Sequence, residues 1–105
     1  MSIIQAEQVS NEVRVIRIVG RFDVATRSEF CQAYETEPGT TREFNVDLGK
    51  ASHIDSAALG MLMLLREYAT ERDAQVCLLR PRTEAGEVLE LARFERYFEI
   101  RDVLR

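Results

Sequence analysis

Alternation of apolar and polar residues is clearest near the start of the chain. Val13, Val15, Ile16 and Ile18 are interleaved with Arg14 and Arg17 at a spacing close to two, which predicts a strand. The apolar-leaning residues 3–9 precede it with Asn11 as a turn residue, so the two segments read as a hairpin, and Gly20 is expected to end its second strand. Asp23 is placed to cap a helix running to about Tyr34, with Phe22, Phe30, Cys31 and Tyr34 as its apolar contacts. Glu37-Pro38-Gly39-Thr40-Thr41 is a loop. Phe44, Val46 and Leu48 alternate with Asn45 and Asp47 to give another strand, followed by a loop from Gly49 to Asp55 and a helix from Ser56 to about Arg72. Gln75–Leu79 reads as a short strand stopped by Pro81. Thr83 is placed to cap a helix to about Leu91, with Glu84 and Glu87 suited to its start. Phe94, Tyr97, Phe98 and Ile100 are expected to close the core through a last short strand. Strands that alternate with helices after a hairpin predict an α/β fold with a mixed sheet. No repeat, linker or low-complexity segment interrupts residues 1–105, so one domain is expected.

The helix beginning at Ser56 carries most of the functional information. Placed at roughly 100° intervals, Ala58, Met61, Leu62, Leu65 and Ala69 share one face, which belongs against the sheet. Glu67, Thr70 and Glu71 occupy the second half of the opposite face, as suits solvent. Its first half holds Ser56, Leu59, Gly60 and Met63, in line with Glu67. Leu59 and Met63 beside a glycine make a small apolar patch, which either marks an interaction site or is covered by a loop or by the chain's own tail. Ser56 also has two readings. Serine ahead of an apolar-periodic run is a preferred N-cap, worth ~1 kcal/mol. The same position suits a phosphate, because free backbone N–H groups and the helix dipole stabilise an anion there. A phosphoryl group would add about 1.5 to 2 negative charges beside Asp55, at the edge of the patch.

Composition narrows the other chemistries. Of 105 residues, 46% are apolar and 30% charged, an ordinary balance for a packed core. The net charge of −4 comes with scattered basic residues, whereas nucleic-acid binding needs a concentrated basic face. Cys31 and Cys77 lie in apolar patterns and are expected to be reduced core residues. The one histidine, His53, has no paired Cys or His spacing, so neither a metal nor another cofactor is implied. The five glycines are isolated and form no phosphate loop, and Ile54-Asp55-Ser56-Ala57-Ala58 lacks the G-x-S-x-G elbow of a nucleophilic serine. No enzymatic activity is expected. The apolar run from Ala57 to Leu65 contains Gly60 and is far shorter than the ~20 residues that span a bilayer. No signal peptide is read at the N-terminus, and a cytoplasmic location is expected.

Several of these segments together resemble the STAS domain family of anti-sigma factor antagonists over nearly the whole chain. They are Gly20-Arg21-Phe22-Asp23, Asn45-Val46-Asp47-Leu48, His53-Ile54-Asp55-Ser56-Ala57-Ala58-Leu59-Gly60, Val76-Cys77-Leu78-Leu79 and Phe98-Glu99-Ile100. The resemblance implies a mixed sheet of four or five strands with helices mainly on one side. It also implies partner switching, in which an anti-sigma factor or serine kinase binds the unphosphorylated chain and phosphorylates it, and a PP2C-like phosphatase reverses the change. The family's phosphoacceptor falls on Ser56, with Asp23, Asp55, Ala57, Leu59, Gly60 and Met63 as its surroundings. The commonest family pattern has serine at the position of Ala57 and glycine at that of Ala58. Ala57 therefore removes an alternative acceptor, and the Asp-Ser-Ala-Ala-Leu-Gly-Met-Leu form is similar to proteobacterial regulators of biofilm or motility. A monomer suits a module that exchanges partners. STAS-like domains also serve as subunits of ABC-type transporters; in that alternative the patch would hold an ATPase subunit permanently and Ser56 would be only a cap.

Overall fold

The computed structural model describes residues 2–102. Strand β1 (Ile3–Gln8) pairs antiparallel with β2 (Val13–Phe22), as the hairpin pattern predicts. Helix α1 (Arg27–Glu35), strand β3 (Glu43–Ile54), helix α2 (Ser56–Glu71), strand β4 (Gln75–Arg80), helix α3 (Glu84–Leu91) and strand β5 (Glu99–Asp102) follow. The five strands lie in the order β1-β2-β3-β4-β5, with β2 to β5 mutually parallel. Right-handed crossovers that always step to the next strand leave their helices on one face of a sheet. The α/β architecture with a mixed sheet is the one expected from the pattern.

Two strands run further than the alternation implies. Gly20 does not end β2; it takes φ +88° and the strand continues to Phe22. Likewise Gly49–Ile54 is strand rather than loop. Shifts of register between Arg17 and Val19, and between Gly20 and Arg21, let β2 follow β3 to the pair Phe22–Ile54. A bulge disrupts the period of two without ending the ladder, which is why the pattern alone falls short here. Leu48, Ala51 and Ile54 turn inward along this extension and are buried.

The core is formed by Ile16, Ile18 and Phe22 of β2, Phe44, Val46 and Leu48 of β3, Leu78 of β4 and the inward residues of the helices. Ala58, Met61, Leu62, Leu65 and Ala69 are the buried set of α2, matching the face read from the spacing. Phe94 and Phe98 close the core, whereas Tyr97 is 42% exposed and stands under the Arg66 guanidinium. Cys77 is buried, Cys31 half-buried, and both are free thiols. Buried Arg14 ties the C-terminal end of α1 to the sheet: its Nε donates to the Ala33 carbonyl (2.6 Å) and its guanidinium to Thr36 Oγ1 (3.0 Å).

The loop after α1 is fixed by Glu37, whose Oε1 accepts from the N–H groups of Gly39 (2.8 Å) and Thr41 (3.3 Å) and whose Oε2 accepts from the Tyr68 hydroxyl (3.0 Å). Burial by itself would raise this carboxyl, but the hydrogen bonds outweigh it and hold the group below its ordinary value of 4.5. A carboxyl depressed in the folded state stabilises the fold above the unfolded value and loses that contribution as pH falls through the folded one. Glu37→Gln is therefore expected to flatten the decline in stability as pH falls below the ordinary carboxylate value, read by urea denaturation at a series of acidic pH values. Gly86 is a second local constraint: a Cβ there would lie 1.9 Å from the Pro81 carbonyl oxygen. Gly86→Ala is expected to cost about 1–3 kcal/mol in the same measurement, and a neutral result would show that the Pro81 turn yields.

Candidate functional site

Because Phe22 pairs with Ile54, the next residues along the two parallel strands, Asp23 and Asp55, leave the sheet side by side. Each aspartate opens the helical segment that follows. Asp23 does not cap one long helix. It caps a 3-10 turn, Val24–Thr26, which leads into α1: its Oδ1 accepts from the Ala25 N–H (3.0 Å), while the Asp23 N–H donates to Thr26 Oγ1 (3.3 Å). Its second carboxylate oxygen lies 3.1 Å from Nε of Arg21, itself in register with His53 on β3.

Asp55, not Ser56, is the N-cap of α2. Its backbone is extended (φ −114°, ψ −176°) and its Oδ1 accepts from the Ala58 N–H at 3.0 Å. Ser56 is the first helical residue and is exposed. The cap that serine was expected to supply is made one residue earlier, because Asp55 is the last residue whose backbone is still extended. The Asp55 carboxylate accepts its hydrogen bond from the start of α2, and among the described residues it makes none with His53 or Ser56. At α3, likewise, Thr83 occupies the cap position without a side-chain cap bond.

Around Ser56 the chain presents Ala57 (half-buried) and Gly60 (exposed). Leu59 and Met63 are half-buried against the core, so they form the shoulder of the patch rather than fully exposed knobs. Leu64, 42% exposed, and Val24, 66% exposed, were not picked out by the spacing. Leu64 lies at the margin of the outer face rather than in line with Ser56, and Val24 sits in a 3-10 turn where a period of 3.6 gives no guide. Their signal was an apolar residue directly after a cap and one beyond the inward-facing set. Among the described residues no cluster of three or more His, Cys, Asp and Glu side chains could hold a metal, and no helix is long and apolar enough to cross a membrane.

The reassigned cap has a measurable consequence. Asp55→Ala is expected to destabilise the fold by ~1 kcal/mol, whereas Ser56→Ala should stay within ~0.5 kcal/mol of the parent in thermal or urea denaturation. The opposite ranking would return the cap to Ser56.

Residues 5–104 match the family model described as "Mlab, STAS domain". A STAS-domain containing protein of Pseudomonas aeruginosa (strain UCBPP-PA14), PA14_20770, is 38% identical over 100 residues, covering 95% of this chain and 99% of its own. Among solved structures, a Thermotoga maritima protein described as "a putative anti-sigma factor antagonist" superposes with a TM-score of 0.81 at 18% identity, covering 96% of this chain and 87% of that one. The anti-sigma factor antagonist SpoIIAA in its unphosphorylated form gives a TM-score of 0.77 at 19% identity (96% and 89% covered). The phosphorylated form of SpoIIAA, a Bacillus cell fate determinant, gives 0.69 at 20% (98% and 93%). The family match over nearly the full length and the Pseudomonas relative, on a fold shared with anti-sigma factor antagonists, make this chain a member of the STAS domain family.

Proposed function

We propose that the chain is a partner-switching regulator of the anti-sigma factor antagonist type, controlled by reversible phosphorylation of Ser56. The observation that carries this reading is an exposed hydroxyl on the first residue of α2, left free of the cap because Asp55 supplies it. In the unphosphorylated chain, an anti-sigma factor or serine kinase docks on the shoulder formed by Ala57, Leu59, Gly60 and Met63, with Asp23 and Asp55 bordering it. The kinase transfers a phosphoryl group: Ser56 Oγ bonds to the γ-phosphorus of ATP, the bond to ADP breaks, and the hydroxyl proton leaves to a base of the kinase. A PP2C-like phosphatase hydrolyses the ester and restores the hydroxyl. The chain itself performs neither step and holds no cofactor. It acts in the cytoplasm, as a monomer when free, and the output in the subgroup it resembles is biofilm or motility control.

The physical switch is a change of charge at a short-range contact. A phosphoryl dianion beside Asp23 and Asp55 raises the local negative charge, and a partner seated on Leu59 and Met63 would have to desolvate it. That SpoIIAA, a protein of the same fold, has been solved with and without phosphate supports the reading.

Incubation with the cognate kinase and ATP is expected to shift the chain on a phosphate-affinity gel, and Ser56→Ala should abolish the shift; a shift that survives moves the acceptor elsewhere. Ser56→Asp is expected to weaken partner binding on the order of tenfold, equivalent to ~1.4 kcal/mol, while Ser56→Ala binds like the unphosphorylated chain. Equal affinity of the two variants would remove the charge mechanism, and a permanent stoichiometric complex with an ATPase subunit would favour a transporter role.

A further inference from the structure

The sheet ends in two strands, β1 and β5, and their edges differ. β5 is four residues long, and Glu99, Arg101 and Asp102 are charged; Asp102 is tied to Arg80 at 2.7 Å. Short length and charged side chains are ordinary guards against pairing at a strand edge. β1 has neither. It runs for six residues without proline, and its register with β2 is unbroken, so no bulge twists the edge away. Its one charge, Glu7, is turned to Arg17 (3.4 Å). Every other residue of such an edge strand points its N–H and C=O outward, and among the described residues no strand lies beyond β1 to meet them.

The helix layer also leaves room at this edge. A groove of about 300 Å³ runs between β1 and α1, lined by Ile4, Ala6, Glu29, Gln32, Ala33 and Thr36. Ala6 is exposed, Ala33 is buried, and neither side chain is long enough to close the space. The two ends of the groove differ. At one, the Arg14 guanidinium donates to Gln8 Oε1 (3.1 Å) and Thr36 Oγ1 (3.0 Å), so the polar groups there satisfy one another. Two turns earlier on α1, toward Ile4, Glu29 is exposed and makes no ion pair among the described residues.

We infer that β1 and this groove form a second docking surface, which takes an extended segment of a partner protein as a sixth strand of the sheet. Strand addition draws affinity from main-chain hydrogen bonds and specificity from alternate side chains, and both are provided for here. The open edge of β1 meets the partner's backbone. The groove receives every second side chain, apolar and of valine size over Ala6 and Ala33, and basic beside Glu29. An occupant without a free backbone edge, such as a helix, would leave the outward groups of β1 unpaired. The surface lies at the outer edge of β1, whereas Ser56 follows β3, two strands further in. It does not depend on the phosphorylation reading, and a partner held there stays in place whatever charge Ser56 carries.

The experiment titrates the isotope-labelled full chain with the end-capped peptide Thr-Val-Thr-Val-Thr-Lys-Thr, whose valines and lysine share one face, and follows backbone amides by NMR. Saturable shifts are expected at Ile3–Gln8 and at Glu29, Gln32 and Ala33, with a Kd on the order of 1 mM or below. The same peptide N-methylated along its backbone keeps its side chains but cannot donate, and should produce no saturable shift. Ala6→Lys, which fills the groove at an exposed position, should weaken binding on the order of tenfold. Glu29→Lys should weaken it on the order of threefold, and leave unchanged a peptide with threonine in place of the lysine. Ser56→Asp should bind like the parent. Absence of saturable shifts, equal binding of the N-methylated peptide, or shifts centred on α2 would each overturn the inference. Sedimentation of the parent alone should give a monomer; a dimer dissolved by Ala6→Lys would assign the edge to a second copy and overturn the partner strand. None of these results touches the acceptor reading of Ser56.

Discussion

The parallel pairing of β2 with β3 up to Phe22 and Ile54 is the constraint on which the rest of this molecule turns. If the two strands parted at Gly20 and Leu48, the starts of α1 and α2 would be set by flexible loops. Instead β2 absorbs two shifts of register and keeps pace with β3, while Leu48, Ala51, Ile54 and Phe22 bury themselves beneath the helices. The chain then leaves the sheet from two adjacent strands at the same level. Asp23 and Asp55 follow immediately, and each closes a helical start with its carboxylate. The candidate site is thus a property of the C-terminal ends of two adjacent inner strands rather than of a loop.

Legibility in the sequence followed how regular each period is. The inward face of α2 was readable residue by residue, because sixteen residues of uninterrupted helix keep one angular phase. The hairpin and the first half of β3 were readable for the same reason at a period of two. The second half of β3 was not. Gly49, Lys50 and Ser52 look like loop, and only pairing with the bulged β2 makes them strand. Side-chain chemistry could not decide between Asp55 and Ser56 as cap, since both are good acceptors for a helix N–H; the extended backbone at Asp55 decides it. The patch was half legible. Its position on α2 was apparent from spacing, but not how deeply Leu59 and Met63 sink against the core, nor that Val24 stands exposed in the 3-10 turn after β2.

Two demands meet on α2, and they separate along its length as well as around it. The inner face is continuous and apolar and supplies core packing from Ala58 to Ala69. The outer face is polar and acidic at Glu67, Thr70 and Glu71, yet toward its N-terminus it gives up charge for a serine, a glycine and half-sunken apolar side chains. Nothing in the packing of the sheet requires that change of character. A helix selected for stability alone would carry good helix formers on its exposed N-terminal turns, with acidic residues favoured by the dipole. The departure from this expectation is local, and it is confined to the two turns that begin at Ser56.

The rigidity of this corner also bears on what kind of switch it can be. Asp55 is held by its bond to the Ala58 N–H, Asp23 by Ala25, Thr26 and Arg21, and Ile54 and Phe22 behind them are buried. A ligand shifts a conformational equilibrium only to the extent that it binds one state better than another, and these contacts mark out no second arrangement for Ser56 to select. On the proposed reading the information therefore lies in the surface and not in the shape. Phosphate alters what can pack against α2 while the helix itself stays in place, and reversal requires only removal of the ester. Such a mechanism works best when the acceptor stands at the point of closest approach, because both charge and bulk then act at the shortest range. On the proposed reading, the exposed hydroxyl on the first turn of α2 is placed to act at that range.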